Sequence, residues 1–96
     1  MILVRNIFQI KFGRMKEARE LWKEGLKLTN PSNHARLLTD LTGPFYTLVL
    51  ETTHKDLSAL EADMRAEMGQ AAFGAWYQKF IPLVESGSRE MFTIVE

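Results

Sequence analysis

The stretch Phe45-Tyr46-Thr47-Leu48-Val49-Leu50-Glu51-Thr52 alternates as a β-strand does, sending Tyr46, Leu48 and Leu50 to one side and Phe45, Thr47 and Val49 to the other. Both sides carry apolar residues. Ile2 to Phe12 repeats the pattern, with Val4, Asn6, Phe8, Ile10 and Phe12 set against Leu3, Arg5, Ile7, Gln9 and Lys11. Ala35 to Leu41 is two-sided in the same way. A chain of 96 residues with two helical regions has enough helix to cover one face of such a sheet. The second face calls for cover from outside the chain.

The strands Ala35 to Leu41 and Phe45 to Thr53 meet around Thr42-Gly43-Pro44. Their most apolar face forms when Leu37 opposes Leu50 and Leu41 opposes Tyr46, with Leu48 between. That register puts Arg36 opposite Glu51 and Asp40 opposite Thr47 on the other face, a sensible pairing of charge and polarity. Gly-Pro is a poor two-residue hairpin turn, so a loop of four residues, Thr42 to Phe45, is expected.

Between the first two strands the period changes. Met15, Ala18, Trp22, Leu26 and Thr29 follow helical spacing, and Lys16, Glu20, Lys23, Glu24 and Lys27 supply a solvated face. Asn30-Pro31 stops this helix, because the residue before a proline avoids the α region. Asp56 is placed to cap a second helical region with the stripe Leu57, Leu60, Met64, Met68 and Ala71. Gly69 and Gly74 mark a bend or join, after which Phe73, Trp76, Tyr77, Phe80 and Ile81 form another stripe. Pro82 breaks it, Ser86-Gly87-Ser88 reads as a turn, and Arg89 to Val95 alternates as a closing strand. The order β-α-β-β-α-β is the ferredoxin-like α+β arrangement, one domain over residues 1–96. Right-handed crossovers place both helical regions on one face of a four-stranded antiparallel sheet.

Leu3, Ile7, Leu38, Phe45, Val49, Met91 and Val95 then fall on the helix-free face, with Arg5, Arg36 and Glu51 among them. Their combined area should exceed the roughly 300–600 Å² of a typical monomer's largest apolar patch. Two copies packed sheet to sheet would cover it, so a homodimer is expected, with Leu3, Arg5, Ile7, Arg36, Leu38, Val49, Glu51 and Met91 at the interface.

Bulk composition narrows the function. Hydrophobic content of 46% and charged content of 25% are globular values and argue against disorder. Twelve Lys+Arg balance twelve Asp+Glu, so the basic excess of a nucleic-acid binder is missing. There is no cysteine, hence no thiolate nucleophile and no cysteine-held metal. Arg5 and Asn6 interrupt the apolar start at Met1 to Val4, and no apolar run approaches the ~20 residues of a membrane span. A cytoplasmic protein without membrane, nucleic-acid or cofactor partners is expected. No nucleophile elbow, phosphate-binding loop or dinucleotide fingerprint is present.

The phrases Ile10-Lys11-Phe12-Gly13-Arg14-Met15-Lys16-Glu17-Ala18 and Thr42-Gly43-Pro44-Phe45-Tyr46-Thr47-Leu48-Val49-Leu50-Glu51-Thr52, with the length and element order, resemble NIPSNAP-like and antibiotic-biosynthesis-monooxygenase-like proteins of the dimeric α/β-barrel superfamily. The resemblance spans essentially the whole chain. It implies that two ferredoxin-like protomers join their sheets into a barrel, with a binding cavity between each sheet and its helices. It further implies either a protein without assigned activity or a cofactor-independent oxygenase acting on an aromatic or quinone-like substrate. Such oxygenases, and the haem-degrading group, often carry a first-strand asparagine seven residues before the glycine that ends the strand. Asn6 stands in that relation to Gly13. Tyr77 occupies the approximate place of the haem-degrading group's axial histidine, so haem ligation does not carry over to this chain.

Asn6 is therefore the candidate catalytic residue, its amide orienting a substrate oxygen or steadying an oxyanion; the plainer reading is an amide satisfied by backbone. Trp22, Tyr46, Trp76 and Tyr77 are candidate ligand-binding residues for a small apolar or aromatic molecule, or else ordinary core. His34 and His54 flank the hairpin at one end of the sheet, with parities that send them to opposite faces. No third ligand at metal spacing accompanies them, and both are expected in exposed loops.

Overall fold

The computed structural model describes residues 1–96. It contains strands β1 (Ile2–Ile10), β2 (Arg36–Thr39), β3 (Thr47–His54) and β4 (Val84–Thr93), and helices α1 (Met15–Gly25), α2 (Leu57–Met68) and α3 (Ala71–Phe80). The sheet order is β2-β3-β1-β4, antiparallel throughout, with the helices on one face: the ferredoxin-like α+β arrangement.

The register of β2 on β3 is the expected one, Leu37 opposite Leu50 and Arg36 opposite Glu51. The hairpin loop is longer than four residues. Asp40 donates its backbone N–H to the Thr47 carbonyl at 3.1 Å, and its carboxylate, in place of its own carbonyl, accepts the Thr47 N–H at 2.9 Å. With that substitution the chain leaves the ladder one pair early. Leu41 swings out to 97% exposure instead of joining the apolar face. Gly43 at φ 107° and Tyr46 at φ 59° carry the return, and the Tyr46 carbonyl accepts from Ile10 N–H at 2.8 Å.

Helix α1 buries Ala18, Trp22 and Gly25 and ends at Gly25, passing into a 3₁₀ turn over Leu26–Leu28 rather than continuing to Thr29. Asn30 then starts a second 3₁₀ turn, Pro31–Asn33, by accepting Ser32 N–H at 3.0 Å. Asp56 caps α2 through Ala59 N–H at 2.8 Å. Gly69 closes α2 and α3 begins two residues later. On α2 only Leu60 is buried; Leu57 and Met68 are exposed. Trp76 and Phe80 of α3 complete a core with Ile10, Ala18, Trp22, Leu48, Leu50 and Leu83.

The closing strand starts earlier than its alternation suggests. Ser86-Gly87-Ser88 lies inside β4, paired with Gln9, Phe8 and Ile7. Gly87 opposes Phe8, and a Cβ at that position would make ordinary van der Waals contact, 3.5 Å from the Phe8 ring and 3.4 Å from the Ile7 carbonyl. The register also moves Met91. It opposes Val4 and belongs to the helix-covered face, whereas Phe92, opposite Leu3, takes the helix-free side. Phe12 lies past the end of β1, exposed, its ring edge-on to Tyr46 at 4.8 Å.

Candidate functional site

A cavity of about 610 Å³ opens between the sheet and helices α2 and α3, within the usual size range for small-molecule sites. Val4, Asn6 and Phe8 of β1, Leu50, Thr52 and His54 of β3, and Arg89 of β4 form its floor. Asp63, Met64 and Glu67 of α2 and Phe73, Trp76 and Tyr77 of α3 form its roof, with Trp22 at one end. Strand alternation explains the floor, because the even-numbered positions of β1 and β3 all point towards the helices.

Asn6 sits mid-way along β1, between Leu50 and Arg89. Its amide oxygen accepts from Arg89 Nε at 2.6 Å, so a side chain on the edge strand, rather than backbone, satisfies it. Asn6 Nδ2 has no protein hydrogen-bond partner. Arg89 also reaches Met64 Sδ at 4.0 Å, spanning from β4 towards α2 at the rim.

At the other end of the floor His54 is buried, contrary to the expectation of an exposed loop residue. It is the last residue of β3 and shares the inward parity of Leu48, Leu50 and Thr52. Its Nε2 lies 2.9 Å from Thr52 Oγ1 and its Nδ1 2.9 Å from Asp63 Oδ2. Asp63 Oδ1 accepts from Asn30 Nδ2 at 3.3 Å, which fixes the carboxylate from its other side. Glu67 stands one helical turn further along α2, partly buried. Burial raises its carboxyl above the ordinary 4.5 and the Asp63 charge adds to that, while His54 pulls the other way. The alternation of β3, carried two residues past Thr52, could have placed His54 inward. Asp63, three residues after the buried Leu60, could have been read from the helix stripe. Arg89 had no such signal.

The aromatic wall combines edge-to-face and stacked pairs. Trp22 meets Trp76 at 4.4 Å and Phe80 at 5.4 Å between ring centroids, and Phe73 stacks on Tyr77 at 6.0 Å. Trp76 Nε1 donates to the Leu21 carbonyl at 2.7 Å, while the buried Trp22 Nε1 has no partner. Of the four candidate ligand residues, Trp22, Trp76 and Tyr77 line the cavity. Tyr46 does not: it lies at the opposite end of β3 from His54, against Phe12 and Phe45.

On the helix-free face Leu3, Arg5, Ile7, Arg36, Leu38, Val49 and Glu51 share one side, as their parities require. Met91 is absent from it for the register reason given above. Glu51 accepts from Arg5 Nε at 3.1 Å and Arg36 Nε at 2.7 Å. Burial works to raise its carboxyl, and the hydrogen bonds and charges of Arg36 and Arg5 outweigh that, leaving it below its ordinary value. His34, at φ 51° in an exposed turn, borders a shallow hollow of about 350 Å³ around this cluster. No three His, Asp or Glu side chains are grouped as a metal-ligand set, and no helix is long and apolar enough to cross a membrane.

No protein-family model and no curated protein matches the sequence. Solved structures do match. An uncharacterised NIPSNAP domain protein from Burkholderia xenovorans superposes with a TM-score of 0.92 at 16% identity, covering 99% of this chain and 95% of that one. A NIPSNAP family protein from Agrobacterium tumefaciens gives 0.91 at 18% identity, covering 99% and 86%. The chain is similar in fold to NIPSNAP proteins. A putative antibiotic biosynthesis monooxygenase from Nitrosomonas europaea also superposes, at TM-score 0.78 and 12% identity over 100% of both chains. The NIPSNAP-like fold thus extends over nearly the whole of residues 1–96, with the cavity between its sheet and helices.

Proposed function

We propose that this NIPSNAP-like protein binds a small apolar or aromatic molecule in the cavity between sheet and helices. The observation that carries the reading is a cavity of about 610 Å³ with an aromatic wall and a few convergent polar groups, Asn6 and Arg89 among them. Native mass spectrometry of the purified protein with a panel of quinones, phenols and haem tests this. Retention of a quinone or phenol is expected, weakened in Asn6→Ala; failure of every panel member to bind overturns the reading.

The second reading is a cofactor-independent monooxygenase, favoured by one observation: Asn6 faces the cavity instead of being walled into the core. In it the Asn6 amide orients an electron-rich aromatic substrate, which itself reduces dioxygen while the pocket positions it. Oxygen uptake with a bound substrate, lost in Asn6→Ala, is the expected signature; binding without uptake removes this reading and leaves the first.

A second copy of the chain is the proposed cover for the helix-free face. Leu38 and Phe92 are 37% and 45% exposed there, beside Leu3, Ile7 and Val49, on a sheet with no helix above them. The Glu51 cluster sits within that face and carries both signs of charge, as a self-complementary two-fold interface requires. Light scattering at micromolar concentration should give twice the monomer mass; a stable monomer excludes the dimer.

A further inference from the structure

We propose that Thr52, His54 and Asp63 form a proton relay that ionises a hydroxyl group of the bound molecule, making the cavity selective for phenols, hydroquinones and enols. The inference rests on the reading of the cavity as a small-molecule site and adds the chemical class of its ligand.

The direction of the relay follows from the partners. Asp63 Oδ2, 2.9 Å from His54 Nδ1, is an acceptor, so Nδ1 carries the proton. Nε2 of the neutral ring then presents a lone pair to Thr52 Oγ1 at 2.9 Å, and the threonine hydroxyl donates to it. With its hydrogen committed inwards, the Thr52 oxygen can only accept from a ligand. A ligand hydroxyl matches that vacancy, whereas an ether or a ketone does not. The imidazole is held in this orientation: its side chain is 4% exposed, and Asn30 Nδ2 fixes the far oxygen of Asp63.

In the step, the ligand O–H proton passes to Thr52 Oγ1 as the threonine's own proton passes to His54 Nε2. One ligand O–H bond breaks and one N–H bond forms; the threonine ends as it began. The products are a ligand oxyanion and an imidazolium paired with Asp63. No oxidant or reductant is needed.

The charged groups facing the relay are Asp63 and Glu67 from α2 and Arg89 from β4. The Asp63 carboxylate, hydrogen-bonded to Nδ1, sits against the ring to balance the charge that the step places on it. Arg89 and the free Nδ2 donors of Asn6 stand on the same floor to receive the oxyanion. Thr52 opposes Val4, the inward residue next to Asn6, a diagonal separation of about 7–8 Å across a strand pair. That leaves room for a ligand oxygen between them. Of the two acidic groups, Asp63 is offset by the imidazolium it pairs with, and Glu67 is held towards its neutral form by burial and the neighbouring Asp63.

The test uses 4-nitrophenol, whose phenolate absorbs at a longer wavelength than the phenol, with 4-nitroanisole as the hydroxyl-free control. Bound 4-nitrophenol should titrate about one pH unit or more below the free molecule, a tenfold change in the phenolate-to-phenol ratio. Thr52→Val and His54→Gln should keep 4-nitroanisole binding and lose the shift, and Asp63→Asn should reduce it. Circular dichroism reports whether each variant folds; if His54→Gln does not, Thr52→Val decides. Bound 4-nitrophenol that titrates like the free molecule, or a shift that survives Thr52→Val, overturns the relay and leaves the binding reading intact. Failure of both compounds to bind the wild type overturns the binding reading and the relay with it.

Discussion

On the helix-free face of the sheet Glu51 is almost fully covered, yet its carboxyl is held below its ordinary value; on the helix-covered face Glu67 is less buried, yet its carboxyl is pushed above it. Burial has the same sign in both. The neighbours differ: two guanidiniums lie against Glu51, and a second carboxylate lies near Glu67. One face is therefore built to hold charge in fixed pairs. The other leaves Glu67 beside Asp63, with no arginine or lysine paired to it, in the roof of the cavity.

Phe80→Ala should show the largest contrast between the faces. Phe80 is 1% exposed and packs on Phe8, Trp22 and Trp76, so urea denaturation should show a loss of about 3–5 kcal/mol. Its counterpart Phe92→Ala, on a ring 45% exposed with Arg5 above it at 5.4 Å, should cost the folded monomer about 1 kcal/mol or less. An equal loss at both sites would mean the helix-free face is part of the monomer's own core.

Gly25→Ala comes next. A Cβ there would lie 2.5 Å from the Trp76 ring and 2.9 Å from Trp22, both wedged in the aromatic wall. Overpacking of this kind costs about 1–3 kcal/mol. The variant should also change tryptophan fluorescence, because the wall that borders the cavity must shift. Unaltered stability and emission would show that the wall is loose enough to rearrange.

The smallest effects carry opposite signs. For Glu51, depressed on folding, the stabilisation is present above the ordinary value of 4.5 and is lost as pH falls through the lower folded value. Glu51→Gln should flatten this acid limb, by about 1 kcal/mol or less because both arginines are substantially solvated. For Glu67, raised on folding, the stabilisation is complete below 4.5 and is lost as pH rises through the higher folded value. Glu67→Gln should therefore be slightly more stable than the wild type at neutral pH. Denaturation midpoints from pH 3 to pH 8 read both variants, and like-signed profiles would break the contrast between the faces.

Much of the helix-covered face was legible from local patterns. Alternation places Asn6 beside Phe8 and Ile10, and helical spacing brings Trp22, Trp76 and Tyr77 towards them. His54 was legible too, by the same alternation, but with the strand expected to end at Thr53 it fell in the loop before Asp56. Asp63 appears in the stripe of α2 as an interruption, and its meaning depends on where that helix lands. The helix-free face was misread at Met91 because Glu85 to Arg89 has no apolar alternation to reveal an edge strand.

The sequence by itself determined the order of elements, the Arg36–Glu51 register of the hairpin, the Asp56 cap and the two-sided character of the sheet. Each follows from periodicity or capping within a few residues, where the physics is local. Only the tertiary structure decided the rest. Asn6 meets Arg89 across 83 positions and His54 meets Asp63 across a strand-to-helix turn. Those contacts depend on the register of an edge strand and the angle of a helix, which many side chains set together and no single stretch of residues encodes.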